Sequence, residues 1–398
     1  MRLLVLLAAC LAAVTAPLFG QLEKVVIKDD IAALAAKGVV AVAIVSDDAT
    51  LGSLVQFALS AHGAIQVSST SSVRLRIGRT ANTAVVACDS PAYAFTANVE
   101  ARDEDQLALK VADAAVVGLG RRWQLKPLYA DTKVTFVSRY TGHAEIYVTN
   151  LARSKTLRLT NYRNTSYGPR WSADGRRVYF ISSFRSNFPE IFSTNGVGEA
   201  AKVIVNVRGA LGAASSGPDG RIAFASSNKE TMDIFVAGPQ GQTPTRVIKA
   251  PNKQWVNTDP AWSPDGSRFA LTGGPTGRPG IYVANTTGGS LQPVATGFSY
   301  STEPRWNPVV PDQLVFTYQS GGLRLGLIDL GAGSVRPIET ASPAPLAHAS
   351  WCADGRHLVA AQGEWLAVVD SVTGKVTRLT PANLGRCSEP DCWTPRAR

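Results

Sequence analysis

The chain has 398 residues, of which 45% are hydrophobic and 18% charged, together with 35 Gly and 23 Pro. This composition can build a hydrophobic core and excludes an intrinsically disordered protein, and the length leaves room for two domains. The formal net charge of +10 would suit a nucleic-acid partner. Because the basic residues are dispersed along the chain, we predict a basic soluble surface and no nucleic-acid partner.

The first twenty residues predict a secretory signal peptide. Arg2 precedes an apolar run over residues 3–14, and residues 17–20 then break the helix. Residues 7–10 also resemble a lipid-attachment motif, so lipidation at Cys10 is an alternative to cleavage near Gly20. No later segment is long and apolar enough to span a bilayer, so we expect an exported protein that is not integral to a membrane.

Residues 21–120 predict an α/β domain that begins with an arm over residues 21–30. In the arm, Val25, Val26 and Ile27 stand between charged residues, which indicates an edge strand or a segment that adds to a partner's sheet. A helical turn over 30–37 follows, and the apolar spacing beyond it predicts strands and two helices. The strands are expected at 39–45, 64–67, 73–77, 84–88 and 92–99, and the helices at 49–62 and 103–118. Residues 121–127 are the expected linker.

From residue 131 the pattern changes to strands alone, organised by a repeated Trp-x-x-Asp-Gly motif. Complete copies begin at Trp171, Trp262 and Trp351, and weaker copies begin at Ser216 and Trp306. The spacing is about 45 residues, with four strand segments per unit, which is typical of a β-propeller blade. We interpret the tryptophan as a packing residue between blades and the Asp as a turn former, with Gly accepting a positive φ.

The number of motif copies predicts a six-bladed propeller over residues 131–398. Five copies define five blades, and a further unit before the first copy has strands but no tryptophan motif. The C-terminal segment around Trp393 would supply the missing first strand of that unit. Pairing the C-terminal strand with the first blade would close the ring and remove its open edges.

No motif in the chain indicates catalysis. Nucleophile-elbow, zinc-protease and phosphate-loop patterns are absent, and the four histidines have no spacing typical of a triad or a metal site. We therefore predict loop or surface roles for the histidines, and no catalytic residue, metal or cofactor. Cys387 and Cys392 are compatible with a small disulfide loop or with unrelated thiols.

The loops that enter the innermost strands are the candidate binding site, because in a propeller they line one mouth of the central channel. Three of them read acid-then-Pro, and arginines lie close by, so the mouth carries mixed charge that suits a protein or peptide partner. Alternatively, the acid-Pro pattern only shapes the loops. The candidate residues are Tyr167, Arg170, Thr258, Asp259, Thr302, Glu303, Arg305, His348 and Glu389.

The chain resembles the TolB family of the Tol-Pal system. The resemblance rests on Thr-Asp-Pro-Ala-Trp-Ser-Pro-Asp-Gly at 258–266, Thr-Glu-Pro-Arg-Trp at 302–306 and the terminal Trp-Thr-Pro at 393–395. It implies a monomeric, non-enzymatic periplasmic scaffold. The propeller mouth would bind the lipoprotein Pal, and the arm would bind the inner-membrane protein TolA. The system supports outer-membrane integrity, cell division and protein transport, including colicin import.

By position, Thr302 and Glu303 match the family's Pal-contacting pair, and Val25, Val26 and Ile27 match its apolar arm. The chain departs from the family in a short N-terminal domain, in Ser216 in place of an aromatic residue, and in its two C-terminal cysteines. Two alternatives stand beside the scaffold. One is a propeller enzyme, such as a polysaccharide lyase or peptidase-like hydrolase, which would need convergent catalytic groups in the channel. The other is a ligand-binding propeller without Tol partners.

Overall fold

The computed structural model describes residues 39–393, except 154, 197, 198, 208, 213, 229 and 230. The predicted signal peptide, the arm with Val25, Val26 and Ile27, and the helical turn over 30–37 lie outside the described residues. Among the helices that are described, none is long and apolar enough to cross a membrane.

The first part of the described chain is a five-stranded sheet with two helices. The elements are β1 Val40–Ser46, α1 Ala49–Ala61, β2 Ile65–Val67, β3 Arg74–Thr80, β4 Thr83–Cys88, β5 Phe95–Glu100 and α2 Glu104–Leu119. The strand order is β2-β1-β3-β4-β5, with β1 parallel to β2 and β3. Each helix begins after an Asp that accepts a backbone N–H of the first turn, Asp48 from Leu51 and Asp103 from Gln106, which satisfies an otherwise unpaired donor.

The segment after α2 is fastened to the helices by buried polar groups. The Asp113 carboxylate of α2 accepts the backbone N–H groups of residues 128, 129 and 130 at 2.6 to 2.8 Å. Burial raises the pKa of Asp113 to about 6 despite these bonds. The Tyr129 hydroxyl donates to Ala58 O of α1 at 2.7 Å. The predicted linker therefore ends in a fixed anchor beside the helices.

The rest of the chain is built from strands. They are β6 Lys133–Ser138, β7 Glu145–Asn150, β8 Thr156–Arg158, β9 Ser166–Trp171, β10 Val178–Ser182, β11 Glu190–Thr194, β12 Lys202–Val205, β13 Ser215–Ser216, β14 Ile222–Asn228, β15 Thr231–Ala237, β16 Thr245–Ile248, β17 Trp255–Trp262, β18 Arg268–Pro275, β19 Gly280–Asn285, β20 Gln292–Val294, β21 Ser301–Trp306, β22 Gln313–Gln319, β23 Leu323–Asp329, β24 Ser334–Pro337, β25 Leu346–Trp351, β26 His357–Gln362, β27 Trp365–Asp370, β28 Val376–Arg378 and β29 Cys387–Trp393.

These strands form antiparallel sheets in sequence order. Strands β9–β12, β21–β24 and β25–β28 each make a four-stranded sheet, and β29 joins β6, β7 and β8 in another. Strands β13–β16 and β17–β20 belong to one sheet, joined among the described residues by the parallel pair Met232 and Val256. The C-terminal strand β29 lies antiparallel to β6, with Trp393 opposite Lys133 and Cys387 opposite Ser138.

Three of the motif tryptophans tie their group of four strands to the preceding group. Trp262, Trp306 and Trp351 end the innermost strands of their sheets and are 6 to 7% exposed. Their indole N–H groups donate across the seam at 3.1 Å to Ser215 O, Ala261 O and Arg305 O. Each indole therefore adds apolar burial and a hydrogen bond across its seam.

The Asp of the repeated motif closes its turn. The Asp265 carboxylate accepts the Ser263 hydroxyl at 2.5 Å and the Ser267 N–H at 3.1 Å, and Gly266 has a φ of 75°. The Ser263 bond, with the two bonds from Ser267, lowers the pKa of Asp265 to about 2. The interpretation of this residue as a turn former is confirmed.

The structure excludes one of the two alternatives for Cys387 and Cys392, and it contradicts the predicted surface position of two histidines. Cys387 and Cys392 lie five residues apart on extended strand β29, roughly 16 Å, which exceeds the ~7 Å between Cα atoms that a disulfide allows. No disulfide links the described cysteines in this structure. His62 and His357 are 1% and 0% exposed rather than on the surface, because the end of α1 packs against β26.

A charged network holds the end of α1 against the last sheet. His62 and His357 have ring centroids 4.4 Å apart. His357 Nδ1 lies 2.5 Å from Asp354 Oδ2, and its Nε2 lies 3.4 Å from Asp370. Burial favours neutral His357, but Asp354 and Asp370 reverse this and raise its pKa to about 9. Burial and the neighbouring His357 hold the pKa of His62 well below its ordinary value.

We expect His357→Gln to remove a pH-dependent part of the stability. The folded pKa of His357 is raised above its ordinary 6.5, so its contribution is complete below pH 6.5 and disappears as pH rises through about 9. The variant should unfold more easily at pH 6, by on the order of 2 kcal/mol, and match the native protein near pH 9.5. Urea unfolding across this range measures the difference. Exposed His143→Gln is the control, and an equal deficit at both pH values would contradict the assignment.

Candidate functional site

A β-bulge recurs in the innermost strands β9, β17, β21, β25 and β29. In each strand the pairing register shifts at one residue in the left-handed region of the backbone. These residues are Gly168, Asp259, Glu303, His348 and Glu389, with φ between 52° and 61°. Left-handed backbone is uncommon for residues other than glycine, and a bulge re-aims the side chain. The acid-Pro pattern in the sequence is therefore the signature of this bulge.

Carboxylates at the bulges bridge adjacent innermost strands. Glu303 on β21 accepts the backbone N–H of His348 on β25 at 2.9 Å and pairs with its Nδ1 at 2.8 Å. Glu389 on β29 accepts the N–H of Gly168 on β9 at 2.6 Å. The bulge amide of one strand is thus satisfied by a carboxylate of its neighbour.

Glu303 is the most heavily bonded member of this set. Its Oε2 also accepts the Thr317 hydroxyl at 2.9 Å, and its own N–H donates to Thr272 Oγ1 at 2.9 Å. Burial would raise the pKa of Glu303, but the His348 and Thr317 bonds outweigh it and lower the pKa to about 2. Burial works against the charged imidazole of His348, yet Glu303 raises its pKa above the ordinary range. The two residues therefore form an ion pair.

One cavity gathers four of the predicted binding residues. It has a volume of about 360 Å³ and is lined by Thr258, Asp259, Thr302 and Glu303, together with Tyr300 and Thr272. Asp259 accepts the neighbouring Thr258 hydroxyl at 2.9 Å. Among the described residues, its carboxylate makes no bond to another strand. Asp259 is therefore the acid lining this cavity whose carboxylate is not committed to a neighbouring strand.

A second cavity of about 210 Å³ gathers the arginines. Arg170, Arg305 and Asp391 line it together with Trp171 and Trp351. Burial, and then the nearby Arg170, lower the pKa of Arg305 to about 10, while burial raises the pKa of Asp391. Arg305 Nη1 donates to Pro304 O at 3.0 Å. Within the described chain its other N–H groups have no acceptor, so they can bind a carboxylate or carbonyl oxygen.

The remaining predicted residues have other surroundings. Tyr167 packs in the apolar core between sheets, where burial and the charge of Glu389 raise the pKa of its hydroxyl. His348 and Glu389 belong to the inter-strand bridges. The structure adds Asp391, which accepts the Trp171 N–H at 2.9 Å and which the sequence analysis missed. The sequence could have indicated Asp391 by its position, because it stands two residues after a bulge residue, as Arg170 and Arg305 do.

One further cluster could hold a cation. Ligand atoms of His62, Asp354 and His357 lie within 4.8 Å of one another. His357 Nδ1 is already paired with Asp354, and His62 Nδ1 accepts the Ala64 N–H at 3.1 Å. These atoms already bond within the charged network at the end of α1, so we interpret the cluster as part of that ion-pair network. The predicted absence of metals and cofactors stays a prediction.

Comparison with known proteins identifies related propellers. A family model described as TolB beta propeller domain matches residues 169–397, more than half of the chain. The chain is 27% identical over 165 residues to the Tol-Pal system protein TolB of Anaeromyxobacter dehalogenans. It is also 27% identical over 154 residues to a protein TolB homolog of Chlorobium luteolum. The alignments cover 41% and 38% of this chain but only 36% and 34% of those proteins.

A solved structure matches more of the chain. The crystal structure of TolB from Acinetobacter baumannii aligns with a TM-score of 0.74 and covers 89% of this chain and 96% of its own. The sequence identity is 18%, so this likeness shows the fold alone. Together with the family model, it shows a mostly β chain with the TolB propeller architecture.

Glu303→Gln should destabilise the protein at neutral pH and not in acid. The pKa of Glu303 is lowered from 4.5 to about 2, so its contribution is complete above pH 4.5 and is lost as pH falls through about 2. We expect a deficit on the order of 2 kcal/mol at pH 7 that shrinks towards pH 2.5. Urea titrations measure it, with exposed Glu364→Gln as the control. A deficit that does not change with pH would argue against the ion pair.

Proposed function

The chain belongs to the TolB β-propeller family, and we propose that it is a non-enzymatic periplasmic scaffold of a Tol-Pal-type system. The observation that carries this proposal is the pair of charged cavities at the bulges of a TolB-type propeller, where Asp259 and Arg305 keep free polar groups. Export depends on the predicted signal peptide over residues 1–20. The scaffold would support outer-membrane integrity, cell division and protein transport.

The proposed architecture is a six-bladed propeller over residues 131–398 behind an α/β domain over residues 21–120. Strands β13–β16 and β17–β20 count as separate blades, because a lone residue pair joins them among the described residues. Strand β29 completes the first blade beside β6. Six blades follow, each with four strands.

The propeller mouth is the proposed site for a Pal-like lipoprotein. Thr258, Asp259 and Thr302 border the larger cavity, and Arg170 and Arg305 border the smaller one. Glu303, which matches a Pal-contacting position of the family, commits its carboxylate to His348 and Thr317. It therefore shapes the mouth, and direct charge contacts with the partner are assigned to Asp259 and Arg305.

The arm over residues 21–30 is the proposed site for a TolA-like inner-membrane protein. The support comes from the sequence: three consecutive apolar residues, Val25, Val26 and Ile27, lie between charged residues. Such a segment can add a strand to a partner's sheet through backbone hydrogen bonds. Binding at the arm and binding at the mouth would let one monomer link two envelope layers.

The His348–Glu303 pair does not favour the enzyme alternative. Acyl-transfer sites need a nucleophile within hydrogen-bond reach of the imidazole. Among the described residues, no serine, threonine or cysteine side chain is hydrogen-bonded to His348. The pair joins two strands instead, which supports a scaffold.

Asp259→Asn should weaken capture of the lipoprotein without unfolding the propeller. Asn keeps the shape and tolerates left-handed backbone, and the change removes one charge. We expect roughly fivefold weaker binding, equivalent to about 1 kcal/mol, in titrations of a Pal-like lipoprotein captured from envelope extracts.

The control is Asp312→Asn at another left-handed residue, with φ of 60°, in the turn between β21 and β22. Asp312 lines neither cavity and pairs with Arg268 at 2.5 Å, so this variant removes a carboxylate charge and a surface ion pair away from the proposed site. It should bind at the native level. Failure to capture any lipoprotein, or equal binding by the native protein and Asp259→Asn, would count against the proposed mouth.

Deletion of residues 21–30 should abolish capture of an inner-membrane partner and leave capture of the lipoprotein unchanged. The arm precedes the described fold, so its loss removes no residue of either cavity. Val26→Asp tests the same surface with one substitution, because a charge cannot join an apolar strand interface. Partner loss in both variants is the expected result. Retention of an inner-membrane partner by the deletion variant would exclude the arm as its site.

A further inference from the structure

The closing strand has one residue more between its bulge residue and its tryptophan than β9, β17, β21 and β25 have. In β9, β17, β21 and β25 the motif tryptophan follows the left-handed bulge residue by three positions, as Trp306 follows Glu303. In β29, Trp393 follows Glu389 by four positions. Cys392 therefore occupies the position, three residues after the bulge, that tryptophan holds in the other strands. It pairs with Val134 of β6 just as Trp306 pairs with Leu314 of β22.

The extra residue turns Trp393 towards the opposite seam. Side chains alternate along a strand, so a one-residue shift reverses the direction in which the indole points. Trp393 donates to Ala173 O at 3.0 Å and packs on Gly175, whose Cβ position would lie 2.1 Å from the indole. Trp171 Nε1 in that seam is buried without a partner among the described residues. The seam between β25 and β29 consequently lacks the indole bond that Trp262, Trp306 and Trp351 make in their seams.

Two thiols occupy the position of that missing bond. Cys392 Sγ lies 4.0 Å from Cys352 Sγ, and Cys352 follows Trp351 at the position that serine holds in two other copies, Ser172 and Ser263. Cys352 is fully buried, and Cys392 is half-buried and lines the 210 Å³ cavity. Cys392 is therefore the thiol of the pair that an oxidant can reach from solvent.

The backbone around the thiols is already fixed. The Cys392 N–H donates to Ser350 Oγ at 2.9 Å, and the Ser350 hydroxyl donates to Asp391 Oδ1 at 3.3 Å. A disulfide needs an S–S distance of about 2.05 Å, so the sulfurs must approach by about 2 Å, which side-chain rotation can provide. Cys387 does not compete, because its thiol donates to Gly385 O at 3.5 Å on the other side of the bulge.

We propose that Cys352 and Cys392 form a disulfide that closes the propeller ring covalently. The bond would join the last sheet to the strand that completes the sheet of β6. Without it, the β25–β29 seam is held by hydrogen bonds and packing. The proposal rests on the proposed function insofar as export brings the protein into an oxidising compartment.

The reaction is thiol–disulfide exchange with a disulfide oxidant, either glutathione disulfide or a disulfide-bonded thiol oxidoreductase. The more accessible Cys392 thiolate attacks the oxidant and releases one thiol, forming a mixed disulfide. The Cys352 thiolate then attacks the Cys392 sulfur and releases the second thiol. Two protein thiols lose two electrons and two protons, and one oxidant disulfide becomes two thiols. Cys352 is fully buried whereas Cys392 is partly exposed, so the second step, which needs the Cys352 thiolate, should be the slower one.

Peptide mapping of the full-length protein tests the bond directly. Protein reduced with dithiothreitol and then exposed to glutathione disulfide should lose about 2 Da and yield one cross-linked peptide pair containing Cys352 and Cys392. Reduction should lower the thermal midpoint of the oxidised protein by on the order of 5 °C. No cross-link after oxidation, or a cross-link to Cys387 or Cys88, would overturn the proposal.

Substitutions separate the bond from general effects of the thiols. Cys352→Ser, which installs the serine of the other copies, and Cys392→Ser should each abolish the cross-link and the effect of reductant on the thermal midpoint. Cys387→Ser is the matched control on the same strand and should retain both. If a variant does not fold, the peptide map of the native protein decides. A bond that forms with glutathione disulfide but is missing in protein taken from cells supports the disulfide and counts against the proposed export.

Discussion

The seams between sheets are the constraint on which the propeller depends. Backbone hydrogen bonds between successive groups of four strands are sparse, such as Ser301 N–H to Pro279 O, so side chains must supply most of the contacts across each seam. The indoles of Trp262, Trp306 and Trp351 make these contacts at the ends of their strands. The carboxylates of Glu303 and Glu389 make them at the bulges. The repeated motif therefore serves stability, and its period follows from the need to repeat each seam contact once per sheet.

The proposed binding site uses the same bulges that stabilise the ring. A left-handed bulge residue interrupts the alternation of side chains along its strand. Its side chain can therefore reach the next sheet, and in our proposal it also lines the mouth. Glu303 satisfies its neighbour, whereas Asp259, in the same position of another strand, makes no such bond within the described chain. We therefore assign the proposed binding contact to the bulge acid that has no structural partner among the described residues. This division makes substitutions at Asp259 more informative about partners than substitutions at Glu303.

The closing strand is where the repeat fails. The tryptophan count suggested that Trp393 completes the series, but the residue added before it moves the indole to the other seam. Cys392 takes the strand position of the tryptophan, and its sulfur faces the sulfur of Cys352. A ring built from one continuous chain must join its two ends at one place, and that place differs from the other seams in its contacts and, by our proposal, in its covalent chemistry.

The sequence by itself determined the strand and helix positions, the repeat, the Asp-Gly turns and the place of the closing strand. These depend on local periodicity and on turn residues, such as Gly266 after Asp265, whose preferences act within a few positions. Only the tertiary structure decided which mouth residues are free, as for Asp259 and Arg305. It alone brought His62 to His357, about 300 residues away along the chain, and Cys352 to Cys392. Such contacts depend on side-chain direction and on sheet packing, and a one-residue bulge reverses direction without altering the periodicity that a sequence displays.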